Sequence, residues 1–325
     1  MKYSDLLEGG WASVLTQNTI ITPAIIAESV EHLKEFEQGY NNWVKSLDPR
    51  LQMEIGNPVG SGTYYLRDLK SDPDKEYGDV DVTAYINPIK DSTPNNTITL
   101  FREAVIEYCK SNEKYQTANG TNVIFETSAG YVQIDLIYTF HEFKIWSKAL
   151  APEHGVKGAI STSLYSAMAE ALNISFGTMG VQVKMRDNQP VNFRQSKDTI
   201  QALVTKDPHN WAKDIFKFYY KIKYTRPVEQ MPKDLEMHSG FKDEQRISDI
   251  ILAVKALVKA LHDAKIFDGN TLLNNIAQSF VKKMDAQISS SKFDKAATPA
   301  AKAKADKAKA TFAGYRDKIP QLILQ

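Results

Sequence analysis

The sequence predicts an α+β fold, with a small mixed or antiparallel β-sheet in the first half and a mostly helical second half. Two stretches, residues 79–86 and 122–140, alternate apolar and polar side chains, which is typical of half-buried strands. After about residue 150 a helical periodicity dominates. Because 325 residues is about twice the length of a typical domain, we predict two domains, 1–150 and 151–325.

Composition excludes several classes of protein. The hydrophobic content of 42% supports a buried core, and the net charge of +1 excludes a uniformly basic protein that coats nucleic acid. The single cysteine, Cys109, excludes an intrachain disulfide and a cysteine-rich zinc site. The chain contains no run of 18 apolar residues and begins without the apolar core of a signal peptide. We therefore expect a cytoplasmic protein that does not bind a membrane.

The first half alternates predicted helices and strands. The first helix is predicted over 23–47 because its apolar residues recur every three or four positions. A short strand then runs into a glycine-rich turn before a short helix. The remaining predicted elements are the helix 63–70, the strand 79–86, the helix 97–110 and an antiparallel hairpin over 122–140 that turns at 128–130.

The second half is predicted to be mostly helical. The predicted helices are 163–174, 199–204, 209–224, 246–264 and 271–288. Residues 295–318 are rich in Ala and Lys, with seven basic and two acidic side chains, and are predicted to form a solvated helix.

Three aspartates carry the strongest functional signal. Residues two apart in a strand point to the same face, so Asp79 and Asp81 project together, while Asp135 interrupts an apolar strand. Clustered carboxylates repel one another unless a divalent cation neutralises them. Such oxygen ligands suit Mg²⁺ or Mn²⁺, whose coordination shell substrate phosphates can complete. The aspartates therefore predict a metal centre that acts on phosphates.

A second group of residues is suited to binding phosphate. Gly60 and Ser61 come directly before the predicted helix 63–70, where backbone amides and the hydroxyl could hold a triphosphate. Arg67 could face the phosphates from that helix. Lys157 and Ser161 lie four apart at a predicted helix start that follows Gly155 and Gly158; the family resemblance described next implies that this helix contacts the nucleotide. A solvated surface is the alternative for Arg67 and Lys157.

Residues 51–140 contain, in order, a strand, a Gly-Ser pair, a helix, a strand with Asp-x-Asp and a later strand with one aspartate. This order resembles the nucleotidyltransferase superfamily that includes DNA polymerase β, poly(A) polymerases and CCA-adding enzymes. The resemblance implies Mg²⁺-dependent transfer of a nucleoside monophosphate from an NTP, with ATP expected as the nucleotide. It also implies that Asp79 and Asp81 bind metal and that Asp135 activates the acceptor hydroxyl. Gly60 and Ser61 match the family's Gly-Ser. Seventeen residues separate Ser61 from Asp79, more than is usual in the family, which indicates a loop insertion.

Residues 206–226 interleave basic and aromatic side chains, a composition that suits a strand of nucleic acid. The three-to-four spacing of Trp211, Ile215, Phe218 and Ile222 also fits a core stripe, which is the interpretation that we favour. With the basic tract at 295–318, the segment leads us to expect an RNA or nucleotide acceptor.

Several alternative functions remain open on the sequence. Within the same chemistry, the product could be a cyclic or linear oligonucleotide signal, or a modified protein or small molecule. A binding module that holds RNA or a partner protein without catalysis is a second class. A glycosyltransferase would use the Asp-x-Asp pair but leave Gly60, Ser61 and Asp135 without a role. The sequence carries no signal for the oligomeric state.

Overall fold

The computed structural model describes residues 20–56, 59–60, 73–74, 77, 80–144, 146, 155–194, 198–235, 246–290 and 299–325. The chain divides into two compact units, Met1–Lys144 and Ile145–Gln325. The described residues form seven α-helices and two small sheets, so the α+β fold class is confirmed. Within these ranges no helix combines the length and the apolar character needed to cross a membrane.

The first unit combines two helices with five strands, close to the predicted bounds. Its helices are α1 (Pro23–Lys45) and α2 (Pro94–Ser111), and its strands are β1 (Met53–Ile55), β2 (Val59–Gly60), β3 (Val80–Ile86), β4 (Asn122–Thr127) and β5 (Gly130–Phe140). Each helix begins with a threonine cap followed by proline at its first position: the side chains of Thr22 and Thr93 accept hydrogen bonds from the backbone N–H groups of Ile25 and Asn96. The predicted helix 63–70 lies outside the described residues.

The sheet of the first unit is mixed. Its strand order is β1-β3-β5-β4, and β2 also pairs with β3. β3 and β5 run parallel, whereas the β1–β3, β2–β3 and β4–β5 pairs are antiparallel. The predicted hairpin over 122–140 is confirmed as β4 and β5. The two central strands therefore lie side by side and in the same direction.

Aromatic side chains bring both helices against one face of this sheet. His32 of α1 stacks on Phe125 of β4 with the ring centroids 4.9 Å apart, and Phe101 of α2 lies 6.4 Å from Tyr138 of β5. Phe36 of α1 is fully buried between the helices. The helices thus cover the face that carries Val82 and Ile134. Asp81 and Asp135 lie on the opposite face, which also includes the buried side chains of Tyr85 and Ile124.

The second unit contains five helices and a four-stranded antiparallel sheet. Its helices are α3 (Gly155–Ala171), α4 (Trp211–Tyr224), α5 (Arg246–Asp263), α6 (Gly269–Ile288) and α7 (Pro299–Leu324), and its strands are β6 (Ile174–Gly177), β7 (Gly180–Arg186), β8 (Gln189–Val191) and β9 (Ile200–Thr205). The helical predictions over 163–174, 209–224, 246–264 and 271–288 are confirmed in position, and α7 contains most of the Ala/Lys-rich tract.

The helix predicted over 199–204 is wrong, because this segment forms strand β9. β9 pairs antiparallel with β7, which also pairs with β6 and β8. Gly180 adopts a φ of +74°, and a Cβ at this position would lie 2.3 Å from the carbonyl oxygen of Thr205. Glycine therefore permits the close approach of β9 to β7. Pairing with a partner about twenty residues earlier in the chain decides the conformation of β9.

Candidate metal and nucleotide site

The alternation predicted for β3 places Asp81 on the polar face of the first sheet. Val80, Val82 and Ala84 are buried on the face that the helices cover. Asp81 and Thr83 are partly exposed on the opposite face. Asp79, which directly precedes this strand, lies outside the described residues, as do Ser61 and Arg67.

Asp135 occupies the same face on the neighbouring strand. Val132, Ile134 and Leu136 of β5 are buried, whereas Asp135 is partly exposed. In the parallel register of β3 and β5, Asp135 is the direct partner of Asp81. Adjacent strands lie about 4.8 Å apart and directly paired residues share a face. The structure therefore brings two of the three predicted carboxylates side by side.

A glutamine that the sequence analysis did not single out holds the Asp135 carboxylate. The side-chain nitrogen of Gln133 donates a hydrogen bond of 2.8 Å to Oδ1 of Asp135. The two residues are two apart in β5, so the strand itself places them on one face. Because polar residues on the exposed face of a strand are common, only the side-chain geometry identifies this contact.

Asn122 of β4 flanks Asp135 on its other side. It is the antiparallel partner of Asp135 and is buried. Its side-chain oxygen accepts hydrogen bonds from the hydroxyl of Thr117 and the backbone N–H of Ala118. Asn122 thereby connects the loop before β4 to β4 itself, which pairs with the strand that carries Asp135.

Strand β2 brings Gly60 next to the aspartate strand. Gly60 pairs with Val80 and Val59 pairs with Asp81, in an antiparallel arrangement. The backbone at Gly60 is therefore one residue pair away from Asp81. Ser61, the second residue of the predicted Gly-Ser pair, lies outside the described residues.

Lys157 and Ser161 both belong to α3 of the second unit. The structure describes the helical backbone of Lys157 but not its side chain. Ser161 is buried, and its Oγ has no hydrogen-bond partner among the described residues. A buried hydroxyl of this kind lacks the hydrogen bond that usually offsets its loss of contact with water.

The basic and aromatic segment at 206–226 is partly core. Trp211 and Ile215 of α4 are fully buried, as the core interpretation requires, whereas Phe218 and Ile222 are only half-buried. Three lysines of this helix are exposed: Lys217, Lys221 and Lys223. The buried face thus runs along the side of Trp211 and Ile215, and the lysines project from the other.

The carboxylates of Asp81 and Asp135 are donors that a hard divalent cation prefers. No group of three or more acidic, histidine or cysteine side chains with metal-binding geometry occurs within the described part of the chain. Asp79, the third expected ligand, is outside it. The carboxylate oxygens of Asp81 and Asp135 are therefore suitable ligands for Mg²⁺ or Mn²⁺. The participation of Asp79 stays a prediction.

Comparison with known proteins does not assign a family to this chain. No protein-family model matches it, and no curated protein is similar to it in sequence. Among solved structures, it is similar to a chain of the Escherichia coli MS115-1 CdnC:HORMA-deltaN complex, with 11% identity and a TM-score of 0.25. That alignment covers 82% of this chain and 95% of the other. A similarity this low carries no argument about the site.

Proposed function

We propose that this protein is a metal-dependent nucleotidyltransferase. It transfers a nucleoside monophosphate from an NTP, with ATP the expected nucleotide, to a hydroxyl acceptor and releases pyrophosphate. The single observation that supports this proposal is the direct pairing of Asp81 with Asp135 on parallel strands. Two carboxylates held side by side on one face of a sheet repel each other, and a divalent cation bound between them would offset that repulsion.

Asp81 and Asp135 would hold the cation, with Asp79 as a third ligand. A divalent cation bound there supplies positive charge to the triphosphate and to the pyrophosphate that leaves. The chain contributes rigidity: both aspartates sit inside paired strands, and Gln133 fixes one oxygen of Asp135. Preorganised ligands avoid the cost of reorganisation during the reaction.

The proposed reaction is an in-line displacement at the α-phosphorus. The oxygen of the acceptor hydroxyl forms a new bond to the α-phosphorus, and the bond from this phosphorus to the oxygen bridging to the β-phosphate breaks. The carboxylate of Asp135 accepts the proton of the acceptor hydroxyl. The electron pair of the broken bond leaves with pyrophosphate, so charge and atoms balance.

Backbone and side-chain groups near the aspartates would hold the triphosphate. Gly60 would supply a backbone amide near Asp81, because β2 pairs with β3 at this point, and the amide and hydroxyl of Ser61 are proposed donors that lie outside the described residues. Arg67, Lys157 and Ser161 stay proposed nucleotide contacts on the strength of the sequence alone. An RNA 3′ end or a nucleotide is the proposed acceptor, since basic residues of α4 remain exposed.

The pairing of the aspartates also favours this chemistry over the glycosyltransferase alternative. A nucleotide-sugar enzyme would use the Asp-x-Asp pair alone, whereas Asp135 is the direct neighbour of Asp81. A binding module without catalysis would have no use for two adjacent carboxylates, which repel the phosphates of RNA.

A nucleotide panel tests the proposal. The full-length protein is incubated with each NTP and with all four together, with Mg²⁺ or Mn²⁺, in the presence and absence of RNA. Pyrophosphate release is measured and products are identified by mass. Pyrophosphate release that requires the cation supports the proposal, and product mass distinguishes an extended RNA from a cyclic or linear oligonucleotide. Salt-sensitive RNA binding without turnover under any of these conditions contradicts it.

A further inference from the structure

β9 is an edge strand of the second sheet within the part of the chain that the structure describes. One edge of this strand pairs with β7, and no strand of the described residues pairs with the other. Its six residues, Ile200–Thr205, contain neither a charged side chain nor a proline. Proteins usually protect free edges with such residues, because unpaired backbone groups invite another strand. β9 therefore lacks charged side chains and proline, and the bulge in its pairing with β7 lies at Val204, near one end of the strand.

The side chains of β9 are also more apolar than a solvated edge requires. Ile200 is 77% exposed and Leu203 is 46% exposed, although both are large hydrophobic residues. They are three apart in a strand and so belong to its two opposite faces. A strand added at this edge would cover apolar surface on both faces of the sheet.

We propose that the partner at this edge is β9 of a second copy of this chain, paired antiparallel about a two-fold axis through Ala202. In this register Ile200 lies opposite Val204 of the partner subunit, and Gln201 lies opposite Leu203 of the partner subunit. The two four-stranded sheets would join into one continuous sheet across the dimer. Such a contact is isologous, because both copies use the same edge. It therefore gives a dimer and does not extend into a filament.

Charges at the two ends of β9 select a second copy and this register. Asp198 lies four residues before Ala202 and Lys206 lies four residues after it, and both side chains are exposed. The two-fold axis therefore places Asp198 opposite Lys206 of the partner subunit. By symmetry the dimer contains two such pairs of opposite charges. A shift by one residue in one direction would place Asp198 opposite Asp207 of the partner subunit, and like charges directly opposite are destabilising. A shift in the other direction would place Asp198 opposite Thr205 of the partner subunit and lose the attraction between opposite charges.

The oligomeric state of the full-length protein tests this proposal. Analytical ultracentrifugation over a wide range of concentrations is expected to show a monomer–dimer equilibrium for the wild type. The variant Ile200→Lys is expected to be monomeric, because it places a charge at the joined edge. Leu252→Lys is the matched control, since Leu252 is 65% exposed on α5 and is expected to leave the dimer intact. A wild type that is monomeric throughout overturns the proposal.

A charge exchange tests the register. Asp198→Lys alone is expected to raise the dimer dissociation constant about tenfold, because it replaces two attractive pairs by two repulsive ones. The double variant Asp198→Lys/Lys206→Asp restores opposite charges at both ends and is expected to recover the wild-type constant. A folded double variant that dimerises no better than Asp198→Lys overturns the proposed register.

Cross-linking provides a readout that does not depend on affinity. Ala202→Cys places two thiols next to each other at the two-fold axis, and oxidation is expected to give a covalent dimer. The natural Cys109 is not expected to compete, because it is buried and desolvation raises the pKa of its thiol to about 12. Leu252→Cys is the control. Equal cross-linking of both variants would contradict pairing at β9.

Discussion

Asp81 on β3 and Asp135 on β5 are direct partners in a parallel pair of strands, and both project from the face of the sheet that α1 and α2 leave uncovered. The two residues are 54 positions apart in the chain, yet the register of the sheet fixes them as neighbours. The proposed function rests on this relationship, because it turns two separate acidic residues into one candidate cation site.

Gln133 is expected to affect the cation dependence of the reaction. Gln133→Leu removes the hydrogen bond to Oδ1 of Asp135 that helps to orient this carboxylate. Loss of a residue that orients a metal ligand typically costs about 10- to 100-fold in metal affinity or activity. The measurement is the rate of pyrophosphate release as Mg²⁺ is titrated. Gln116→Leu is the control, since Gln116 is exposed in the same unit, and an unchanged Mg²⁺ curve for Gln133→Leu would disprove this role.

Ser161 is expected to matter for nucleotide binding and not for stability. Its buried Oγ has no hydrogen-bond partner among the described residues, so Ser161→Ala loses no bond there on folding. We expect an increased KM for the NTP with an unchanged or higher free energy of unfolding. Thr162→Ala, at an exposed position of the same helix, is the control. A KM equal to that of the wild type would contradict the predicted contact between Ser161 and the nucleotide.

Glu170 is expected to stabilise the second unit in a pH-dependent way. Partial burial acts to raise the pKa of Glu170, but hydrogen bonds from Ser279 and Lys283 and the charges of Lys283 and Arg194 outweigh it and hold the pKa below its ordinary value of 4.5. A lowered pKa in the folded state adds stability at neutral pH that is lost as the pH falls below about 4.5.

The variant Glu170→Gln tests this contribution. We expect it to lower the free energy of unfolding by about 1 kcal/mol at pH 7, a value that allows for solvent screening of a partly exposed group. The difference from the wild type should narrow below pH 4.5. Glu107→Gln is the control, because its ion pair with Lys110 is exposed on both sides. A difference that grows in acid would contradict the sign of the linkage.

Phe36 is expected to be a main stabilising residue of the first unit. It is fully buried, and its ring lies edge-on to those of Tyr108 and Tyr115 at centroid distances of 5.5 and 5.1 Å. Phe36→Ala leaves a cavity and should cost about 3 to 5 kcal/mol in urea unfolding. Leu47→Ala, at a residue that is 66% exposed, should change the stability by less than about 0.5 kcal/mol.

The sequence predicts those features that local alternation determines. Val80, Val82 and Ala84 alternate with polar residues, and so do Val132, Ile134 and Leu136, so the face that carries each aspartate follows from the pattern alone. Alternation does not specify which strands pair or in which register. The parallel pairing of Asp81 with Asp135, and the hydrogen bond from Gln133, are visible only in the folded structure.

The second sheet shows where local patterns mislead. Residues 199–204 have a spacing that also fits a helix, and a window this short does not separate the two conformations. The sequence signals the hairpin of β7 and β8 more clearly. Asp187 and Asn188 form the two-residue turn between these strands, with φ of 51° and 59°. Asp and Asn tolerate this left-handed conformation and are typical of hairpin turns.

The rate of pyrophosphate release by aspartate variants tests the central claim most directly. Asp81→Asn and Asp135→Asn keep the size of the side chain but remove its charge, and each should slow release from NTP with Mg²⁺ by about 10²- to 10⁴-fold. The control Glu126→Gln, an exposed carboxylate on β4, should retain the wild-type rate. Circular dichroism confirms that each variant is folded. Folded Asp81→Asn and Asp135→Asn proteins that release pyrophosphate as fast as the wild type would contradict a site built on these two residues.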